Sequence, residues 1–286
     1  MASQIALTDW VSEAKSKKDI QFREAVHIVL HAVGSDAQTA HTLVLKGGIL
    51  LALKFNSERF TKDIDFTCIS EYASFPDVMV QERLNKSLKT SAVILGYSLD
   101  CRVQKTELKP DLRKHPNPKF PGLQVNIGYG KKGSLRQGRT YADVLLIDIS
   151  YNEFLSDDVD LFSDEISVKC YKLEELMAEK FRSILQQVPR NRARRQDVYD
   201  LNYLIKNHCK KTDQERGQLT KRKLKHAKGF AVSLVSHQPR SDIPWLAQSG
   251  VPVQSEPWSY RSLPVAARCR ACHQRPACDP DISHLL

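Results

Sequence analysis

Between Thr42 and Ile69 the chain passes from a short apolar run through two glycines into an apolar helix, and then into a strand that opens with Asp-x-Asp. The run is Thr42-Leu-Val-Leu, the turn is Lys46-Gly47-Gly48, and Ile49 to Phe55 form the helix. Residues 63–69 alternate polar and apolar side chains in the manner of a half-buried strand. On such a strand Asp63 and Asp65 share one face, with Cα atoms roughly 6.5–7 Å apart. Two carboxylates so placed can converge on a pair of divalent ions about 3.5–4 Å apart, the spacing that clamps an in-line phosphoryl displacement. Mg²⁺ favours such hard oxygen ligands. Backbone N–H groups at a glycine turn before a helix can approach a triphosphate, and the helix dipole favours its charge. Lys46, Arg59 and Thr61 flank this arrangement, and cationic side chains there can bond phosphate oxygens. Taken singly, Asp-x-Asp is more often a polar strand face and Gly-Gly only a turn. Their conjunction favours chemistry on phosphate.

Further polar residues stand in apolar surroundings. Asp148 lies in Val144-Leu-Leu-Ile-Asp-Ile-Ser, a strand where a lone carboxylate is costly unless paired or metal-bound. Lys180 falls inside the apolar stripe of Leu173, Leu176, Met177 and Ile184. Asp197 shares a helix face with Leu201, Leu204 and Ile205. Lys180 and Asp197 therefore face a common site, or form a structural ion pair.

Elsewhere the patterning predicts an α+β chain. A buried helix spans 20–33, with Asp19 as N-cap and Gly34 as stop. Another covers about 78–95, and strands lie near 97–108, 122–128 and 143–150. Two helices follow, at 173–187 and about 195–207. This divides the chain into a core (1–170), a helical extension completing the site (171–210) and a basic, poorly specified tail (211–286).

The net charge of +10 is unevenly placed: residues 1–205 carry 29 Lys/Arg and 27 Asp/Glu, and residues 206–286 carry 14 and 6. Residues 206–228 hold nine Lys/Arg, among them Lys210, Lys211, Lys221, Arg222, Lys223 and Lys225. Such a block suits a polyanion partner or a solvated linker. No apolar run approaches the ~18 residues of a membrane span, and the first residues do not resemble a secretory signal. Seven cysteines give no disulfide framework, so the expected compartment is the cytoplasm. Near the C-terminus Cys269, Cys272, His273 and Cys278 offer zinc-ligand chemistry, though in spacing that suits an irregular extension better.

The strings LKGGILLALKFNSERFTKDIDF, LEELMAEKFRSIL and RARRQDVYDLNYLI together resemble the AbiEii/AbiGii toxin family, part of the polymerase-β-like nucleotidyltransferase superfamily. The resemblance covers about residues 40–207; Gln196 separates Arg195 from Asp197 where the family has a contiguous Arg-Asp. It implies a nucleotidyltransferase fold, with a mixed sheet, flanking helices and a helical C-terminal extension. It implies a Mg²⁺-dependent toxin with a cognate antitoxin, moving a nucleotide from a nucleoside triphosphate to an acceptor. That acceptor would be the 3′ end of tRNA; a protein side chain taking AMP, or a non-catalytic nucleotide- or RNA-binding role, are the alternatives. By the same resemblance Asp63, Asp65 and Asp148 would bind two metal ions. Gly47, Gly48, Arg59 and Thr61 would hold the triphosphate, Lys180 would touch phosphate, and Asp197 would orient Lys180 or the nucleotide.

Overall fold

The computed structural model describes residues 6–208 other than 60, 112–113, 115–117, 135–139, 154, 156–159, 164–165 and 188–194. Most of the basic stretch 206–228 and the Cys269, Cys272, His273 and Cys278 group lie outside the described residues. The elements run α1 (Leu7–Ser12), α2 (Lys17–Ser35), α3 (Ala37–Thr42), β1 (Leu43–Lys46), α4 (Gly47–Phe55), β2 (Asp63–Cys68) and α5 (Asp77–Ile94). They continue with β3 (Leu99–Lys109), β4 (Gly122–Lys131), β5 (Asp143–Tyr151), β6 (Asp160–Ser163), β7 (Ser167–Cys170), α6 (Leu173–Leu185) and α7 (Arg195–His208). The strands form one mixed sheet in the order β3-β4-β5-β2-β1-β7-β6. The α+β class expected from the sequence is the one observed.

Alternation along the strands gives the sheet two unlike faces. Ile64 and Phe66 of β2, Leu145, Ile147 and Ile149 of β5, and Leu123, Val125 and Ile127 of β4 are buried on one. Helices α2 and α5 pack there, against each other and against β3, with α2 also reaching β5. The opposite face carries Asp63, Asp65, Asp148 and Gln124. Parallel pairing of β2 with β5 sets Asp65 level with Asp148, and antiparallel pairing of β5 with β4 sets Asp148 level with Gln124. A single cross-sheet row thus runs Glu107, Gln124, Asp148, Asp65, Lys46.

Several boundaries differ from the sequence reading. Ser16, not Asp19, caps α2: its hydroxyl accepts a hydrogen bond from the Asp19 N–H at 3.1 Å. Gly34 does not stop that helix, which runs on to Ser35. Its lack of a side chain serves packing instead, since a Cβ there would stand 2.7 Å from Ile166 Cδ1. Thr42 ends α3 rather than opening β1, and α4 begins at Gly47. Helices α1 and α3 and strands β6 and β7 were not foreseen; all are six residues or shorter, too short for a periodic signal.

Helices α6 and α7 pack on each other, and α7 touches α4. Leu176, Met177 and Leu204 join the same hydrophobic core as the sheet. Asn56, in the left-handed region at φ 54°, ends α4. Its exposed carbonyl and that of Phe55 accept from the Tyr203 hydroxyl at 2.7 and 2.8 Å, so α7 satisfies orphan acceptors at the end of α4.

Candidate active site

Asp63, Asp65 and Asp148 each offer a carboxylate oxygen, and these atoms all lie within 4.8 Å of one another. The convergence follows from the register: Asp65 and Asp148 are direct neighbours across β2 and β5, and Asp63 is one pleat along. Thr61 Oγ1 donates to Asp63 Oδ1 at 2.6 Å, and Gln124 Nε2 donates to Asp148 Oδ1 at 3.0 Å. Burial, then the charges of Asp63 and Glu179, push the Asp65 carboxyl up to about 7 against the pull of Lys46 and Lys180.

The glycines border this cluster. Gly47 sits at φ +72°, and a Cβ there would fall 1.9 Å from Asp65 Oδ2. At Gly48 a Cβ would meet Thr61 Oγ1 at 2.8 Å and Arg59 Nη2 at 2.9 Å. The two positions are therefore glycine so that Asp65, Thr61 and Arg59 can crowd the first turn of α4. The first N–H groups of that helix have no intrahelical acceptor.

A buried ionic network begins at Arg59. Arg59 grips Asp200 in a fork, Nε to Oδ1 at 2.6 Å and Nη2 to Oδ2 at 3.0 Å. Lys180 Nζ reaches Asp200 Oδ2 at 2.9 Å and Asp197 Oδ1 at 3.2 Å. Burial works against the charge on Lys180, but Asp200, Glu179 and Asp197 outweigh it and raise its pKa. Asp197 Oδ2 is buried with no hydrogen-bond partner.

Lys46, expected beside phosphate, has its ammonium enclosed within the protein. It pairs with Glu153, stands 3.4 Å from Glu179 Oε1, and donates to Ser150 Oγ at 3.2 Å. Burial opposes that charge, yet the Glu179 and Glu153 carboxylates outweigh it and raise the lysine's pKa. Glu153 also accepts from Thr67 Oγ1 at 3.0 Å and Arg182 Nη2 at 3.2 Å. Burial alone would raise the Glu153 pKa; Lys46 and Arg182 bring it down to about 2.

The structure thus brings together Asp63, Asp65 and Asp148, places Gly47, Gly48, Arg59 and Thr61 beside them, and pairs Lys180 with Asp197. Sequence reasoning missed Asp200, Glu153, Glu179, Arg182 and Gln124. Asp200 was within reach of it, because it lies three residues from Asp197 and four from Leu204 on the buried face of α7. Glu153 lies in a loop and had no local signal.

Three carboxylates without sulfur or imidazole make a donor set for a hard divalent cation. Charge balance agrees. Among the described residues, Asp63, Asp65, Asp148, Glu153, Glu179, Asp197 and Asp200 gather around Lys46, Arg59, Lys180 and Arg182. A cation would hold Asp65 ionised against its buried surroundings.

A search of curated proteins finds no match to this chain. Among solved structures, JHP933 from Helicobacter pylori is similar at 17% identity, over 68% of this chain and 69% of that one, with a TM-score of 0.45. MenT4, a nucleotidyltransferase toxin from Mycobacterium tuberculosis, is similar at 16% identity over 73% of this chain and 65% of its own, with a TM-score of 0.37. No helix among the described residues is long and apolar enough to cross a membrane. Residues 28–252 match the profile of the nucleotidyl transferase AbiEii toxins of type IV toxin–antitoxin systems, and with well over half its length matched, the chain belongs to that family.

Proposed function

We propose that the protein transfers the nucleoside monophosphate of a nucleoside triphosphate to the 3′-terminal hydroxyl of an RNA, tRNA foremost, as a toxin restrained by its antitoxin. The observation that carries this reading is the convergence of Asp63, Asp65 and Asp148 beside the first turn of α4. The acceptor oxygen attacks the α-phosphorus, the bond from that phosphorus to the bridging oxygen breaks, and pyrophosphate leaves. Asp63, Asp65 and Asp148 would hold two Mg²⁺ ions, which when bound offset the charge on the triphosphate and on the oxygens that attack and leave. Gln124 fixes Asp148 through Oδ1, and Asp148 Oδ2 takes the proton of the acceptor hydroxyl. The N–H groups of Gly47 and Gly48, with Arg59 and Thr61, hold the triphosphate. Asp197 and Asp200 orient Lys180, whose ammonium meets the departing phosphates. Lys46 neutralises Glu153 and Glu179 on the same sheet face, level with Asp65. A net charge of +10 favours a polyanionic acceptor over a protein side chain.

The test is to incubate the full chain with each α-labelled triphosphate, Mg²⁺, total RNA and a protein extract. Label at the 3′ end of RNA is expected, with none from Asp63→Ala or Asp65→Ala. Label on protein alone would refute the RNA acceptor. Near-wild-type transfer by either variant, with its fold intact, would refute the carboxylate assignment.

A further inference from the structure

The sheet face that carries the three aspartates continues beyond them onto β4 and β3. Register places Asn126 and Lys105 on the next strands at one level and Gln124 and Glu107 at the next, with Gly122 and Lys109 beyond. Lys105, Glu107 and Lys109 are all exposed. A hydrogen-bonded chain joins this ribbon to the aspartates: Lys109 Nζ donates to Gln124 Oε1 at 2.7 Å, and Gln124 donates to Asp148 at 3.0 Å. With neighbouring strands about 4.8 Å apart, the lysines of β3 stand about 10 Å from the Asp148 strand.

The ribbon is also where positive charge collects within residues 1–205. Residues 99–131, which contain the two strands and their connection, hold seven Lys/Arg against Asp100, Glu107 and Asp111, whereas the remainder of residues 1–205 holds 22 Lys/Arg against 24 Asp/Glu. Lys114 and Lys119, in the connection between β3 and β4, are exposed. Aromatic rings accompany the cations. Tyr141 lies against Gly130, where a Cβ would meet its ring at 2.6 Å, and the Arg102 guanidinium is 5.3 Å from the ring centroid. At the other end Lys119 stands 5.7 Å from the ring of Phe120, which is 38% exposed. Cations interleaved with partly exposed rings suit a single-stranded polynucleotide, whose phosphates take the charges and whose bases stack.

We infer that the β3–β4 ribbon is the surface that grips the RNA backbone leading to the reacting 3′ end. This rests on the RNA-acceptor reading above and adds where that RNA lies. The strand runs from the aspartates across β4 and β3, with phosphates near Lys105, Lys114 and Lys119. It assigns the main grip to this ribbon rather than to the basic stretch at 206–228.

The experiment measures binding of unfractionated tRNA to the full chain across a salt series. Wild type is compared with Lys105→Gln/Lys114→Gln/Lys119→Gln and with Lys221→Gln/Arg222→Gln/Lys223→Gln, and labelling is assayed in parallel. All three ribbon positions are exposed and none touches the aspartates, so the melting temperature should hold. The ribbon variant should flatten the plot of log affinity against log salt by about two units, roughly 0.7 for each lost contact on a single strand. Its KM for tRNA should rise about tenfold while that for the triphosphate stays unchanged. Parallel lines for ribbon variant and wild type, or a slope that flattens only in the 221–223 variant, would overturn the inference. A flattened slope with no label on RNA would instead uphold the RNA-binding ribbon and sink only the acceptor reading.

Discussion

Asp200 shows how much a single residue can organise. Its side chain is fully buried, and its two oxygens serve the guanidinium of Arg59 and the ammonium of Lys180. Removing one partner of a buried ion pair is costly because the other is left uncompensated, on the order of 3–5 kcal/mol. Asp200→Asn should therefore lower stability by about 3 kcal/mol in urea melts and loosen Arg59 against the α4 turn. Lys180→Met behaves differently. Methionine keeps the apolar length and the helix propensity, so the helix should persist while transfer falls at least tenfold, the equivalent of about 1.4 kcal/mol in the barrier. A Lys180→Met enzyme of unchanged rate would reduce Lys180 to a structural counter-ion.

Helix α4 is held at both ends, for different reasons. Its N-terminus admits no side chain at Gly47, and its C-terminal carbonyls are met by Tyr203 of α7. Gly47→Ala must adopt a left-handed φ and displace Asp65 Oδ2, so both stability and transfer should collapse. Gly96→Ala is the control: φ is +68° there, but nothing lies within 4 Å of the added Cβ. It should cost only the left-handed penalty, about 1–2 kcal/mol, with transfer intact. Equal activity in the two variants would contradict the reading of Gly47 as a site residue.

For the molecule as a whole, the buried charges make stability depend on acid. Lys46 and Arg182 hold the Glu153 pKa at about 2, below the roughly 4.3 of a free glutamate. A carboxyl depressed in the folded state contributes stability that is fully present above the unfolded value and is lost as pH falls toward the folded one. Wild type should thus lose stability between about pH 4.5 and 2.5 more steeply than Glu153→Gln in urea melts at stepped pH. Identical slopes would mean that Glu153 is not ionised against Lys46.

The sequence by itself determined the long elements, because periodicity over many residues reports which face is buried. It also singled out Gly47, Gly48, Asp63, Asp65, Asp148, Lys180 and Asp197, whose types conflict with an apolar or otherwise regular setting unless chemistry demands them. The tertiary structure decided what pairing across distant segments decides. Register between β2 and β5 set Asp148 against Asp65, and the loop after β5 delivered Glu153 to Lys46, 107 residues away in sequence. Packing of α7 brought Asp200 to Arg59, 141 residues away. Such partners leave no local pattern, since an ion pair between remote segments is chosen by the fold and not by spacing along the chain. The same holds for Lys46: adjacency to the glycines suggested phosphate, but three acceptors gathered from elsewhere take up its ammonium on the aspartate face of the sheet.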